Sequence, residues 1–143
     1  MPYGGNDWLA LTSEPTLEPE MPICDPHHHF WDLRPDRIPF QRYLLHELAA
    51  DLNSGHNVRS TAFIEARSMY RTDGPEELRS VGEVEFVQGV AAMAASGLYD
   101  EGVRCCGGIV GFANLTLGDA VEPVLRGLMG ASAPPRPTTQ GAR

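Results

Sequence analysis

The chain predicts an α/β fold in which strands and helices alternate around a parallel sheet. Three observations predict it. Short apolar runs recur at Ile23-Cys24, at Thr61-Ala62-Phe63-Ile64 and at Ile109-Val110. Each is followed by a segment whose apolar residues fall three or four apart, the period of one helix face. The order strand–helix therefore occurs three times over, and such alternation is satisfied by parallel strands joined through right-handed crossovers. With 143 residues and 42% hydrophobic content, the chain fits one domain with its own core.

The elements follow in order. Residues 1–20 are acidic and rich in proline and turn formers, with Glu14-Pro15 and Glu18-Pro19-Glu20, and read as an irregular arm whose patch Trp8-Leu9-Ala10-Leu11 could dock on the body. The folded domain is expected from 21 to 129. Its first strand leads through Ile23-Cys24 into three consecutive histidines, and Pro26 restricts it, so the histidines are placed where strand becomes loop. Pro35 and Pro39 mark residues 33–42 as a loop. Leu44, Leu45, Leu48 and Leu52 share a helix face over 43–52, and Asn53-Ser54-Gly55 stops it.

Val58 to Glu65 reads as the second strand. A polar loop with the turn Asp73-Gly74-Pro75 fills 66–80. Val84, Val87, Val90, Ala91 and Ala94 define a helix from Val81 to Ser96, with Gly97 as its stop. The third strand covers Arg104 to Phe112. A third helix is expected to start at Leu117-Gly118-Asp119 and run to Leu128, with Pro123 tolerated in its first turn. Residues 130–143 are proline-rich, have no apolar period and read as disordered.

Composition excludes several function classes. The net charge is −8, from 19 acidic against 11 basic groups, and every basic residue is an arginine. No clustered positive surface for nucleic acid is expected. No apolar run is long enough to span a membrane, and no basic stretch followed by an apolar run marks a secretory leader, so a cytoplasmic protein is expected. Three cysteines make no disulfide framework, and Cys24, Cys105 and Cys106 read as reduced, buried thiols. Redox chemistry at Cys105-Cys106 is the alternative to core packing. The spacing Gly107-x-x-x-Gly111 lacks the Lys-Ser/Thr of a phosphate loop and reads as no nucleotide site.

The stretch Asp25-Pro26-His27-His28-His29-Phe30-Trp31-Asp32 carries the most chemistry. Along an extended backbone, side chains alternate faces, so His27 and His29 point one way and His28 the other. Two imidazoles about 6 to 7 Å apart along a strand can reach one divalent ion. Asp25 either orients a ligand histidine or bonds backbone at the strand end. Phe30 and Trp31 either pack in the core or line a pocket.

This stretch resembles the first-strand signature of the amidohydrolase superfamily, in the amidohydrolase-related branch of lactonases and metal-dependent decarboxylases. Ser54-Gly55-His56-Asn57-Val58, Phe63-Ile64-Glu65, Ser68-Met69-Tyr70-Arg71 and Gly107-Gly108-Ile109-Val110-Gly111 are similar to that branch as well. The resemblance covers residues 5 to 128. It implies a (β/α)8 TIM barrel with its active site at the C-terminal ends of the strands. It also implies that His27 and His29 bind a divalent metal, zinc or manganese, which activates water.

The implied function is hydrolysis of a lactone, ester or amide carbonyl in a small-molecule substrate, with metal-dependent decarboxylation as the alternative chemistry. Glu65, at the end of the second strand, and Tyr70 and Arg71, in the loop after it, are candidates for the substrate pocket. Otherwise Glu65 is a solvated or capping carboxylate and Tyr70 and Arg71 belong to a solvated loop, while His46, in a helix, and His56, in a loop, are expected at the surface. A barrel of this kind takes about 250 residues, so the chain has room for roughly three of eight units. No histidine follows His56 to supply the later ligands. The chain thus reads as the N-terminal part of such an enzyme. The competing expectation is a catalytically inactive partial barrel that binds metal weakly, or forms a homo-oligomer through its unpaired strand edges.

Overall fold

The structure, a computed structural model, describes residues 10–33, 40–99 and 102–132. Within them the chain is mixed α/β, with a three-stranded parallel sheet and three α-helices. Strand β1 is Pro22–His28, helix α1 Leu45–Leu52, strand β2 Asn57–Ile64, helix α2 Val81–Ala94, strand β3 Arg104–Val110 and helix α3 Glu122–Ser132. The strand order is β1-β2-β3 and both pairings are parallel. None of the helices described is long and apolar enough to cross a membrane.

One face of the sheet is dry. Thr61 and Phe63 alternate with half-buried Ala62 and Ile64 along β2, as a pleated strand covered mainly on one side requires. Phe63 is buried in one cluster with Phe30, with Leu45, Leu48 and Leu52 of α1, and with Val87 and Val90 of α2. Both crossover helices therefore cover the same face, the arrangement that sequential strands with right-handed connections produce. The other face is more open, with Val110 53% exposed.

Helix α2 buries Val81, Val84, Val87 and Val90 at a spacing of three, and ends where Gly97 takes a φ of 72°. Its first turn is enclosed by the segment after β2. A side chain at Gly82 would lie 2.7 Å from the Met69 carbonyl oxygen, so only glycine lets that segment approach. Beside it, the buried Glu83 carboxylate accepts the backbone N–H groups of Ala66 and Ser68, at 3.0 and 2.8 Å.

Several expectations need correction. Cys24 is exposed rather than buried, because β1 alternates exposed and half-buried residues and Cys24 falls on the exposed side with Pro22 and Pro26. The histidines do lie where strand becomes loop: β1 continues to His28, past a second irregularity at Pro26, which an edge strand accommodates because proline gives up only one donor. The third helix starts at Glu122, not at 117. The chain first makes 3-10 turns over Leu115–Val121, where Gly118 has a φ of 58° that an α-helix cannot continue through. That helix runs on to Ser132, so residues 130–132 belong to it and not to the tail. The remaining tail residues, and Trp8-Leu9 of the arm, lie outside the described residues. Leu11 is 79% exposed and does not dock.

Candidate functional site

The histidine stretch divides between the two faces of the sheet. His27 is exposed, His28 buried and His29 half-buried. Asp25 settles into a backbone role, its Oδ1 accepting the His27 N–H at 3.1 Å. The Nε2 atoms of His27 and His29 lie 3.1 Å apart, with the rings edge to face. Nδ1 of His29 is 2.7 Å from the carbonyl oxygen of Ile64, the last residue of β2. A carbonyl can only accept, so Nδ1 carries the proton and Nε2 keeps its lone pair. The two nitrogens most suited to a cation are thus turned toward one point. Tetrahedral zinc with Zn–N of about 2.0 Å sets ligand nitrogens about 3.3 Å apart, close to the separation found.

The pair sits where the strands end. His29 follows β1, Glu65 follows β2, and the Glu65 N–H donates to the carbonyl of Val110 at the end of β3, at 2.9 Å. Ligands of parallel α/β sheets bind outside these C-terminal ends. Glu65 Oε1 accepts the Tyr70 hydroxyl at 2.7 Å and the Arg67 N–H at 3.0 Å. Burial, reinforced by Glu65, pushes the Tyr70 hydroxyl above its ordinary value, so it is a proton donor at neutral pH. Arg67 and Met69 both hold positive φ, 57° and 54°, which marks this loop as strained. Arg71 turns away and pairs with Glu85 of α2 on the surface. The structure therefore brings His27 to His29 and Glu65 to Tyr70, and leaves Arg71 elsewhere.

His27 also borders a cavity of about 490 Å³ between β1 and α1, together with Asp25, Tyr43, Asp51 and His56. Tyr43 donates its hydroxyl to Asp51 at 2.6 Å, and burial pushes its pKa up. His56, expected as a plain surface residue, is exposed yet lines this cavity. His46 is exposed and lies edge to face with Tyr99. Phe30 is fully buried core, while Trp31 stacks on Tyr43 and donates Nε1–H to the Phe40 carbonyl.

On the dry face lies a group that sequence reasoning missed. His28, Cys105 and Cys106 are all buried, and their ligand atoms lie within 4.8 Å of one another, so this group could hold a metal ion. It is the one such group of three His, Cys, Asp or Glu side chains among the described residues. Burial holds His28 below its ordinary pKa, so its imidazole is neutral. The contact between the two thiols holds Cys105 below the ordinary thiol value, while that same contact and burial push Cys106 up. The missed signal was the doublet Cys105-Cys106 itself. Strand alternation sends adjacent residues to opposite faces, and nothing local in the sequence says that these two share one.

Comparison with family models, with curated proteins and with solved structures finds no match to this chain.

Proposed function

We propose that the chain acts as a metal-dependent hydrolase of the amidohydrolase-related type, its three strands being the first of a (β/α)8 barrel and its metal held in part by His27 and His29. One observation carries the reading: two imidazole Nε2 atoms 3.1 Å apart at the C-terminal end of a parallel strand, one of them oriented by a main-chain carbonyl. A divalent ion such as zinc or manganese at that position supplies water activation near neutral pH and polarises a carbonyl. The chain's own groups do the rest. The Ile64 carbonyl fixes the His29 ring. Glu65, braced by Tyr70, places a carboxylate on the same edge of the sheet, where it can take up a proton beside a lactone, ester or amide substrate.

A second reading rests on an observation of its own. Catalytic zinc usually has three protein ligands, and no third His, Cys, Asp or Glu joins His27 and His29 in a ligand cluster among the described residues. The same geometry then serves a catalytically inactive partial barrel that binds metal weakly, or associates through the unpaired edges of β1 and β3. Assay of the purified chain with zinc or manganese on a panel of lactones and esters separates the readings. The hydrolase reading expects turnover that His27→Ala abolishes. Bound metal without turnover favours the inactive reading. Release of carbon dioxide from a carboxylate substrate would replace hydrolysis with decarboxylation.

A further inference from the structure

His28 leaves β1 on the side opposite to His27 and enters the core. Its Nε2 lies 2.9 Å from Thr61 Oγ1 and 3.8 Å from Cys106 Sγ. Cys105 Sγ lies 3.6 Å from Cys106 Sγ. Tetrahedral zinc with Zn–S of about 2.3 Å and Zn–N of about 2.0 Å sets sulfur–sulfur edges of about 3.8 Å and sulfur–nitrogen edges of about 3.5 Å. Two of the three donor separations are thus close to those of ligands around one ion, and all three lie within 4.8 Å.

The backbone is arranged to produce this spacing. Between Ser60 and Ala62 of β2, the partner strand β3 advances from Arg104 to Gly108, a bulge in which Cys106 takes a φ of 52°. A non-glycine residue in that region is strained. The consequence is that both thiols turn into the core instead of one. The bulge is also pinned: the Cys106 N–H donates to Thr61 Oγ1 at 2.9 Å.

Two further observations point to a ligand. His28 is 7% exposed, and its Nδ1 has no hydrogen-bond partner among the described residues. Cys105 and Cys106 also line a cleft of about 430 Å³ bordered by Gln88, Arg104 and Ser132, which supplies an entry path.

We propose that His28 Nε2, Cys105 Sγ and Cys106 Sγ form a second metal site, separate from the His27–His29 pair, that takes zinc and ties β1 to β3 through the core. Charge selects the ion. Two thiolates and a neutral imidazole bring the charge around a divalent cation to zero, which a buried site needs. Both thiol protons leave to the buffer as the ion binds. Thiolates favour zinc over manganese or magnesium. This site does not depend on the hydrolase reading.

Cobalt(II) is the probe, because sulfur ligation gives an intense sulfur-to-metal charge-transfer band that nitrogen ligation at His27 and His29 cannot give. Reduced full-length protein titrated without oxygen is expected to show that band, saturating at one cobalt per chain and bleached by zinc. Cys105→Ser and Cys106→Ser are each expected to lose it. Cys24→Ser and the double variant His27→Ala/His29→Ala are expected to keep it. Zinc should raise the unfolding midpoint of that double variant, since an ion bound only by the folded state stabilises it. Wild-type protein that takes up cobalt without the band overturns the proposal. So does a band that survives Cys105→Ser and Cys106→Ser but vanishes in Cys24→Ser, or a double variant whose midpoint zinc leaves unmoved.

Discussion

His27 and His29 stand at the open C-terminal edge of the sheet, while His28, between them in sequence, is buried beside two thiols. The open pair offers nitrogen donors 3.1 Å apart, with His27 exposed and His29 half-buried. The closed group offers one nitrogen and two sulfurs under the helices α1 and α2. One strand thus presents two kinds of donor group, and the difference comes from its pleat. Each donor set also suits its surroundings. Imidazoles near water suit an exchangeable ion with free positions for substrate. Thiolates in a dry core suit an ion that stays bound, because leaving would strand their charge.

The sharpest way to break this contrast is to cut into the dry face. Phe63 is fully buried, stacks on Phe30 with ring centroids 5.7 Å apart and touches the His28 ring. Phe63→Ala is expected to cost about 3–5 kcal/mol of stability in urea unfolding. Ile64→Val, its neighbour on the half-covered face, should cost under about 1 kcal/mol. Equal costs for the two would mean that the faces are not distinct.

A smaller effect on the fold, but a large one on metal, is expected at the open pair. His29→Ala removes one of the two facing imidazoles and its bond to the Ile64 carbonyl. Metal affinity at the pair should fall by more than the about 10- to 100-fold that loss of an orienting partner costs. Unfolding free energy should change by less than about 1 kcal/mol. Calorimetric titration and chemical denaturation of the same variant read both quantities, and a large loss of stability would make His29 a core residue in effect.

The smallest expected effect lies at the rim of the dry face, on α1. The Leu44 N–H donates to Glu47 Oε2 at 2.8 Å and holds this carboxyl below its ordinary value of 4.5. Since the folded pKa lies below the unfolded one, the stabilisation is complete above about pH 4.5 and is lost as pH falls through the folded value. Glu47 is exposed enough for water to screen it, so the contribution is about 0.5 kcal/mol or less. Glu47→Gln should flatten the acid limb of the stability profile by that amount. An unchanged limb would show that the cap contributes nothing.

Much of the fold was legible because its signals are local. The valines of α2 repeat at helical spacing, and Gly97 stops that helix as its positive φ allows. The start of α3 was misplaced because Gly118 lies inside an apolar period yet takes a conformation that interrupts it. The split of the histidines between two faces follows from strand alternation alone. Their orientation does not, because the carbonyl that turns His29 belongs to Ile64 on the neighbouring strand.

By itself, then, the sequence determined the order of strands and helices, and the choice of His27 with His29 as partners on one face. These depend on periodicities that any stretch of chain carries within itself. Only the tertiary structure decided that Cys105 and Cys106 share a face and meet His28. That outcome depends on how β3 registers against β2, where a bulge puts Cys106 at a φ of 52° and breaks the alternation a lone strand would keep. Register is settled between strands rather than within one, so the residues of β3 could not reveal it alone.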